Sequence, residues 1–171
     1  MTAGSQAHTE ESLPIILVDD EKHIRLAAGQ TLELGGYDVT ALENAEQVQA
    51  LISDDWPGVL VTDINLPGID GLELMRRVQA QDPDLPVILI TGHGDISMAV
   101  SAMRDGAYDF IEKPPQADRL ILTCSRAVQD AQLRKENLLL RSRNGDVQEL
   151  LGVSSEIATV RQAVKQVAQG D

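Results

Sequence analysis

Short apolar runs alternate with amphipathic stretches along the first two-thirds of the chain. Ile15-Ile16-Leu17-Val18 is a continuous apolar run, mostly β-branched, the pattern of a strand buried on both faces. Ile24, Ala27, Ala28, Thr31, Leu32 and Leu34 follow at helical spacing and stop at Gly35-Gly36. The alternation repeats: Tyr37 to Leu42 predicts a strand and Ala45 to Ser53 a helix. Val59-Leu60-Val61-Thr62 predicts a strand, Leu72 to Gln79 a helix, and Val87-Ile88-Leu89-Ile90 a strand. Ile96 to Arg104 reads as helix and Phe110-Ile111 as a short strand, and a long helical pattern starts near Ala117. Five such units predict an α/β fold with a five-stranded, parallel, doubly wound sheet.

The long pattern runs with little interruption to about Arg143, after which Asn144-Gly145-Asp146 predicts a turn over 143–147. Within it Ile121, Cys124, Val128, Ala131 and Leu138 follow 3-4 spacing, with Lys135 at one seam position, a pattern that suits a short coiled coil. Only its first few turns can pack on a domain of this size, so a parallel dimer is expected through the remainder, where Leu138-Leu139-Leu140 needs cover. Residues 150–171 restart with Leu150-Leu151-Gly152 and a helical face of Ile157, Val160, Val164 and Val167, with Ser154 as N-cap.

Charge sharpens this division. The 171 residues carry a net charge of −13, which argues against direct nucleic-acid binding, since phosphate backbones need clustered Lys and Arg. Residues 1–116 hold 20 acids and 6 bases, whereas residues 117–171 hold 7 acids and 8 bases, so the boundary near 116 separates two kinds of polypeptide. No apolar stretch approaches the roughly 18 residues that span a bilayer, so no membrane contact is expected. Residues 1–12 are polar, lack the features of a signal peptide and are expected to be disordered. One cysteine, Cys124, excludes a disulfide framework and fits a reducing cytoplasm.

In doubly wound sheets, sites form at the carboxyl ends of strands near the point where strand order reverses. Asp19, Asp20 and Glu21 follow the first run, Asp63 the third, Thr91-Gly92 the fourth and Lys113-Pro114 the fifth. Carboxylates gathered at one edge repel unless a cation sits among them, and hard oxygen ligands without His or Cys favour Mg2+. A carboxylate such as Asp63, held between a metal ion and Lys113, can attack phosphorus and form an acyl phosphate. Glu21 reads as a first-turn acid favoured by the helix dipole rather than as a ligand. His93 has no partner at useful spacing and reads as a loop residue.

ILVDDE at 16–21, VTDINLPGIDG at 61–71, ILITGHGD at 88–95 and AYDFIEKP at 107–114 together resemble the receiver domains of bacterial two-component response regulators over about residues 13–130. The resemblance implies Asp63 as phosphoacceptor, with Mg2+ held by Asp20, Asp63 and the backbone carbonyl of Asn65, and by Asp19 through water. It further implies Thr91 and Lys113 as phosphate contacts, Phe110 as the aromatic switch and Pro114 as a cis-proline. A sensor histidine kinase is the implied phosphodonor, and residues 96–130 the face that repacks and pairs in a homodimer.

Residues 148–171 are similar to the opening of the AAA+ ATPase domain of sigma-54-dependent activators, the nitrogen-control class. Residues 91–114 and the linker, 117–143, most resemble the C4-dicarboxylate transport regulators of that class. No phosphate-cradling G-x-x-x-x-G-K-[ST] loop is present, so this chain is not expected to hydrolyse ATP itself. Two alternatives remain. A magnesium-dependent phosphatase of the haloacid-dehalogenase type also uses a strand-end Asp but wants a second Asp where Asn65 stands, and a phosphorelay receiver would lack transcriptional output.

Overall fold

A computed structural model describes residues 13–54, 56–92 and 95–150, apart from the side chains of Leu138 and residues 141–150. The expected tail over residues 1–12, His93 and residues 151–171 lie outside the described residues. The chain divides into two units, Met1–Gln132 and Leu133–Asp171.

The first unit holds five strands: β1 (Pro14–Val18), β2 (Asp38–Leu42), β3 (Val59–Asp63), β4 (Val87–Thr91) and β5 (Asp109–Glu112). They form one parallel sheet in the order β2-β1-β3-β4-β5. The intervening helices are α1 (Lys22–Leu34), α2 (Glu46–Gln49), α3 (Gly71–Gln81) and α4 (Ile96–Asp105), and α5 (Ala117–Leu150) follows the last strand. The predicted α/β doubly wound sheet is therefore present.

Side-chain alternation along the strands feeds two cores. Ile16, Val18, Leu60, Val87 and Leu89 pack with Val48 of α2, Leu74, Met75 and Val78 of α3, and Ala99 and Ala102 of α4. On the opposite face Ile15, Leu17, Val61, Ile88, Ile90 and Ile111 pack with Ala28 and Leu32 of α1 and with Leu120, Cys124, Ala127 and Val128 of α5. With almost no aromatics available, these β-branched and leucine side chains carry the hydrophobic term, about 1.5–3 kcal/mol each when fully buried.

Three features differ from expectation. The second helix is one turn long instead of covering 45–53, with no side-chain cap at Ala45 and backbone turns after Gln49. Ile52 is buried all the same, from a loop. The predicted turn over 143–147 is helix, because α5 continues through Asn144-Gly145-Asp146 to Leu150. Glycine inside a helix costs only about 1 kcal/mol and, unlike proline, removes no hydrogen bond.

The third difference concerns the predicted coiled-coil seam. Cys124, Val128 and Ala131 are buried within the first unit at 0, 8 and 4% exposure, the first two against the sheet, so they are not available to a partner helix. A 3-4 stripe that serves a sheet face and one that serves a coiled coil look alike in sequence. Among the described side chains of α5, the exposed large apolar ones are Leu122, Leu133, Leu139 and Leu140. No helix among the described residues is long and apolar enough to cross a membrane.

Candidate functional site at the β1/β3 edge

Strand register builds the site. Val18 pairs with Thr62, so Asp19 and Asp63 leave β1 and β3 side by side, at the point where strand order reverses. Asp63 is level with Ile90, and Thr91 pairs with Glu112, which brings Thr91 and Lys113 to the same edge. Lys113 is fixed there by its own N–H, which donates to the Thr91 carbonyl at 2.7 Å, and the Lys113-Pro114 bond is cis, as expected. Of the buried polar or charged residues described, Asp19, Thr62, Asp63 and Thr91 all sit at these strand ends.

Backbone donors hold the buried acids. The Glu21 N–H donates to Asp19 Oδ1 at 2.9 Å and the Asn65 N–H to Asp63 Oδ1 at 3.1 Å. Lys113 Nζ donates to Asp63 Oδ2 at 2.6 Å and to Glu21 Oε1 at 3.0 Å. It also lies 3.3 Å from Asp19 Oδ2, an ion pair whose angles fall outside hydrogen-bond geometry, so that oxygen has no hydrogen-bond partner. The Thr91 hydroxyl is likewise buried without a partner.

Electrostatics follow from burial. Desolvation pushes both Asp19 and Asp63 above the ordinary carboxylate range, against the pull of Lys113 and of the backbone N–H groups. Burial also opposes the charge on Lys113, but its bonds to Asp63 and Glu21 outweigh this and hold the ammonium above the ordinary lysine value. Exposed Glu21 is held below its ordinary value by Lys113. A charged lysine among acids that carry a net desolvation penalty is a site short of positive charge.

A divalent cation fits that shortage. Asp19, Asp20 and Asp63 each offer a carboxylate oxygen, and these oxygens lie within 4.8 Å of one another, with Asp20 exposed at the mouth. Asp19 Oδ2, buried without a hydrogen bond, and the all-oxygen donor set match a hard ion.

Glycine at 71 makes the loop after β3 possible. A Cβ there would stand 2.1 Å from the Asp63 carbonyl oxygen, while the Gly71 N–H donates to the Ile64 carbonyl at 2.9 Å. Asp70 caps the following helix by accepting from the Glu73 N–H at 2.8 Å. Phe110 is half-buried against the α3/α4 side of the sheet and lines a cavity of about 440 Å³ with Lys113, Pro114 and Arg119.

Three contacts escaped the sequence reading. Glu21 occupies the N-cap position of α1, yet its carboxylate makes no cap bond and turns to Lys113 instead. Arg25 donates to the Asp19 carbonyl at 2.7 Å, and Asn65 Nδ2 donates to Asp95 Oδ2 at 2.7 Å. Glu21 is signalled by its place beside the acidic pair, whereas nothing local links Asn65 to Asp95.

The response regulator receiver domain model matches residues 15–125. The chain is 47% identical over 158 residues to the C4-dicarboxylate transport transcriptional regulatory protein DctD of Pseudomonas aeruginosa, covering 90% of this chain and 34% of that protein. Its identity to DctD of Rhizobium meliloti is 45%, over 92% of this chain and 35% of that protein. Among solved structures, the receiver domain of NtrX from Brucella abortus superposes with TM-score 0.64 at 46% identity, covering 67% of this chain and 98% of that one. A longer NtrX structure from the same organism gives TM-score 0.68 at 43% identity, over 91% of this chain and 34% of that one. The chain thus spans about a third of the length of the curated relatives it matches. On its fold, its site and these similarities, the chain belongs to the response regulator receiver domain family.

Proposed function

We propose that this chain is the phosphorylation-controlled receiver of a sigma-54-dependent activator, with Asp63 as phosphoacceptor and a sensor histidine kinase as donor. The observation that carries it is Asp63 itself, a buried strand-end carboxylate 2.6 Å from a lysine ammonium, at an edge shared with an unpartnered buried hydroxyl. An Asp63 carboxylate oxygen attacks the phosphorus of phosphohistidine, the P–N bond breaks, and the imidazole leaves with its electron pair and takes up a proton. The product is an acyl phosphate on Asp63. Lys113, already bonded to Asp63, turns its charge to the phosphoryl oxygens, and the Thr91 hydroxyl donates to one of them. Phe110 moves into space near Thr91, and the face over 96–130 repacks.

Mg2+ would be held by Asp20, Asp63 and the Asn65 backbone carbonyl, with Asp19 acting through water, and supplies positive charge toward the transferring oxygens. The cluster of Asp19, Asp20 and Asp63 supports that assignment. Asn65 stands where a haloacid-dehalogenase-type phosphatase would need its second Asp, and its amide is engaged by Asp95, which favours the receiver.

Output is proposed to pass through α5 as the linker of a homodimer to an AAA+ domain of the full-length protein, whose opening is residues 148–171. Given the exposed leucines, the pairing would run through Leu133, Leu139 and Leu140 instead of the buried seam. The similarity to the two DctD proteins supports control of C4-dicarboxylate uptake genes from the cytoplasm, with no DNA or membrane contact by this chain itself. Incubation with acetyl phosphate and Mg2+, followed by intact-mass measurement, tests the core of this reading. One hydroxylamine-labile phosphate per wild-type chain and none on Asp63→Asn is expected, and equal labelling of both overturns it.

A further inference from the structure

Tyr108 stands just before β5 and packs against the core cluster that α5 covers. Its N–H donates to the Val87 carbonyl at 2.8 Å, tying it to the sheet, and its hydroxyl donates to Asp130 Oδ2 at 2.7 Å. Asp130 lies at the end of the first unit, whose boundary follows Gln132. About three turns earlier in the same helix, Arg119 Nη2 donates to the Phe110 carbonyl at 3.2 Å. Two directional bonds therefore join the β5 segment to α5, one on each side of Cys124, Ala127 and Val128. Those three side chains touch the sheet through apolar contacts, which have no preferred direction and permit slip. Of these two bonds, the one from Tyr108 lies nearer the end of the first unit.

We propose that Tyr108 and Asp130 are positioning residues that clamp the last receiver turn of α5 to β5, so that a displacement around Phe110 reaches the start of the linker. The inference rests on the receiver reading above and adds the route by which the site acts on the linker. The clamp touches neither the acids nor Lys113, so it is separable from phosphoryl chemistry.

The test uses the whole chain with Mg2+ and beryllofluoride as the phosphoryl stand-in, and reads amide exchange along α5. In wild type, beryllofluoride changes exchange over residues 126–133. Tyr108→Phe and Asp130→Ala reduce that change about five-fold or more, while phosphate uptake from acetyl phosphate stays within about two-fold of wild type. Asp130→Asn, which keeps an acceptor oxygen, retains at least about half of the response. Variants that transmit as wild type does overturn the clamp, as does a wild type that takes up phosphate yet shows no change over 126–133. A wild type that takes up no phosphate overturns the receiver reading instead, and the uptake assay separates the two failures.

Discussion

Lys113 Nζ lies 2.6 Å from Asp63 Oδ2, although 50 residues of chain separate them. The same nitrogen lies 3.0 Å from Glu21 Oε1 and 3.3 Å from Asp19 Oδ2, so one ammonium balances three carboxylates, two of them buried. This balance sets both the stability of the site and its response to charge.

Replacing that ammonium with an apolar chain of similar length, Lys113→Met, should destabilise the fold by about 3 kcal/mol at pH 7, because two buried carboxylates lose their cation. Burial already raises the folded pKa of Asp19 and Asp63, and losing Lys113 raises them further. A raised folded pKa means that the native state holds its protons longer, so stability is lost as pH climbs from the unfolded pKa through the folded one. The deficit should therefore shrink toward about pH 5. Urea melts at the two pH values read this directly. Equal deficits would mean that the loss is packing and not charge.

Metal should act in the same direction as the lysine. Wild type is expected to gain about 1.4 kcal/mol when Mg2+ stands tenfold above its dissociation constant. Asp20 is exposed and makes no structural bond among those described, so Asp20→Ala should melt as wild type does in chelator and lose the Mg2+ response. Thermal melts with and without MgCl2 check both halves. A variant that still responds to Mg2+ would place the ion elsewhere.

The close approach at Gly71 gives a paired prediction. Gly71→Ala drives a Cβ to 2.1 Å from the Asp63 carbonyl oxygen, a backbone atom that cannot swing aside. It should cost about 2–3 kcal/mol and weaken Mg2+ binding by moving Asp63. Gly29→Ala, inside α1 with its nearest neighbour the Leu17 Cδ2 at 3.9 Å, should instead be neutral or stabilising by up to about 1 kcal/mol. Comparable losses at both positions in chemical denaturation would contradict the steric account.

Cys124 should be a silent thiol in the native state. Burial pushes its pKa up to about 12 and leaves it no exposure. Reaction with a disulfide reagent at pH 8 is expected only through opening of α5, at a rate that climbs with denaturant. Because the folded pKa exceeds the ordinary value of 9.0, the stability that Cys124 contributes is complete below that pH and is lost as pH rises toward 12. Fast stoichiometric labelling in buffer would show that the helix does not cover it.

The strands, their order of appearance and the site edge were legible in the sequence, because each rests on nearest neighbours along the chain. A run such as Val87-Ile88-Leu89-Ile90 is apolar on both faces and fits a covered parallel strand. Parallel strands all end on the same edge, so Asp19, Asp63, Thr91 and Lys113 had to meet there once the alternation was read. The cis Lys113-Pro114 bond was likewise signalled by its motif.

What periodicity alone did not reveal was the partner of each face. Cys124 and Val128 have the spacing of a coiled-coil seam, but the apolar face of the chain's own sheet is nearer and claims them. The Glu21–Lys113, Asn65–Asp95 and Tyr108–Asp130 bonds were invisible for the same reason. Each joins groups whose separation in space bears no fixed relation to their separation in sequence. Local propensity and pattern decide what an element is, and only the packed sheet decides what each of its sides touches.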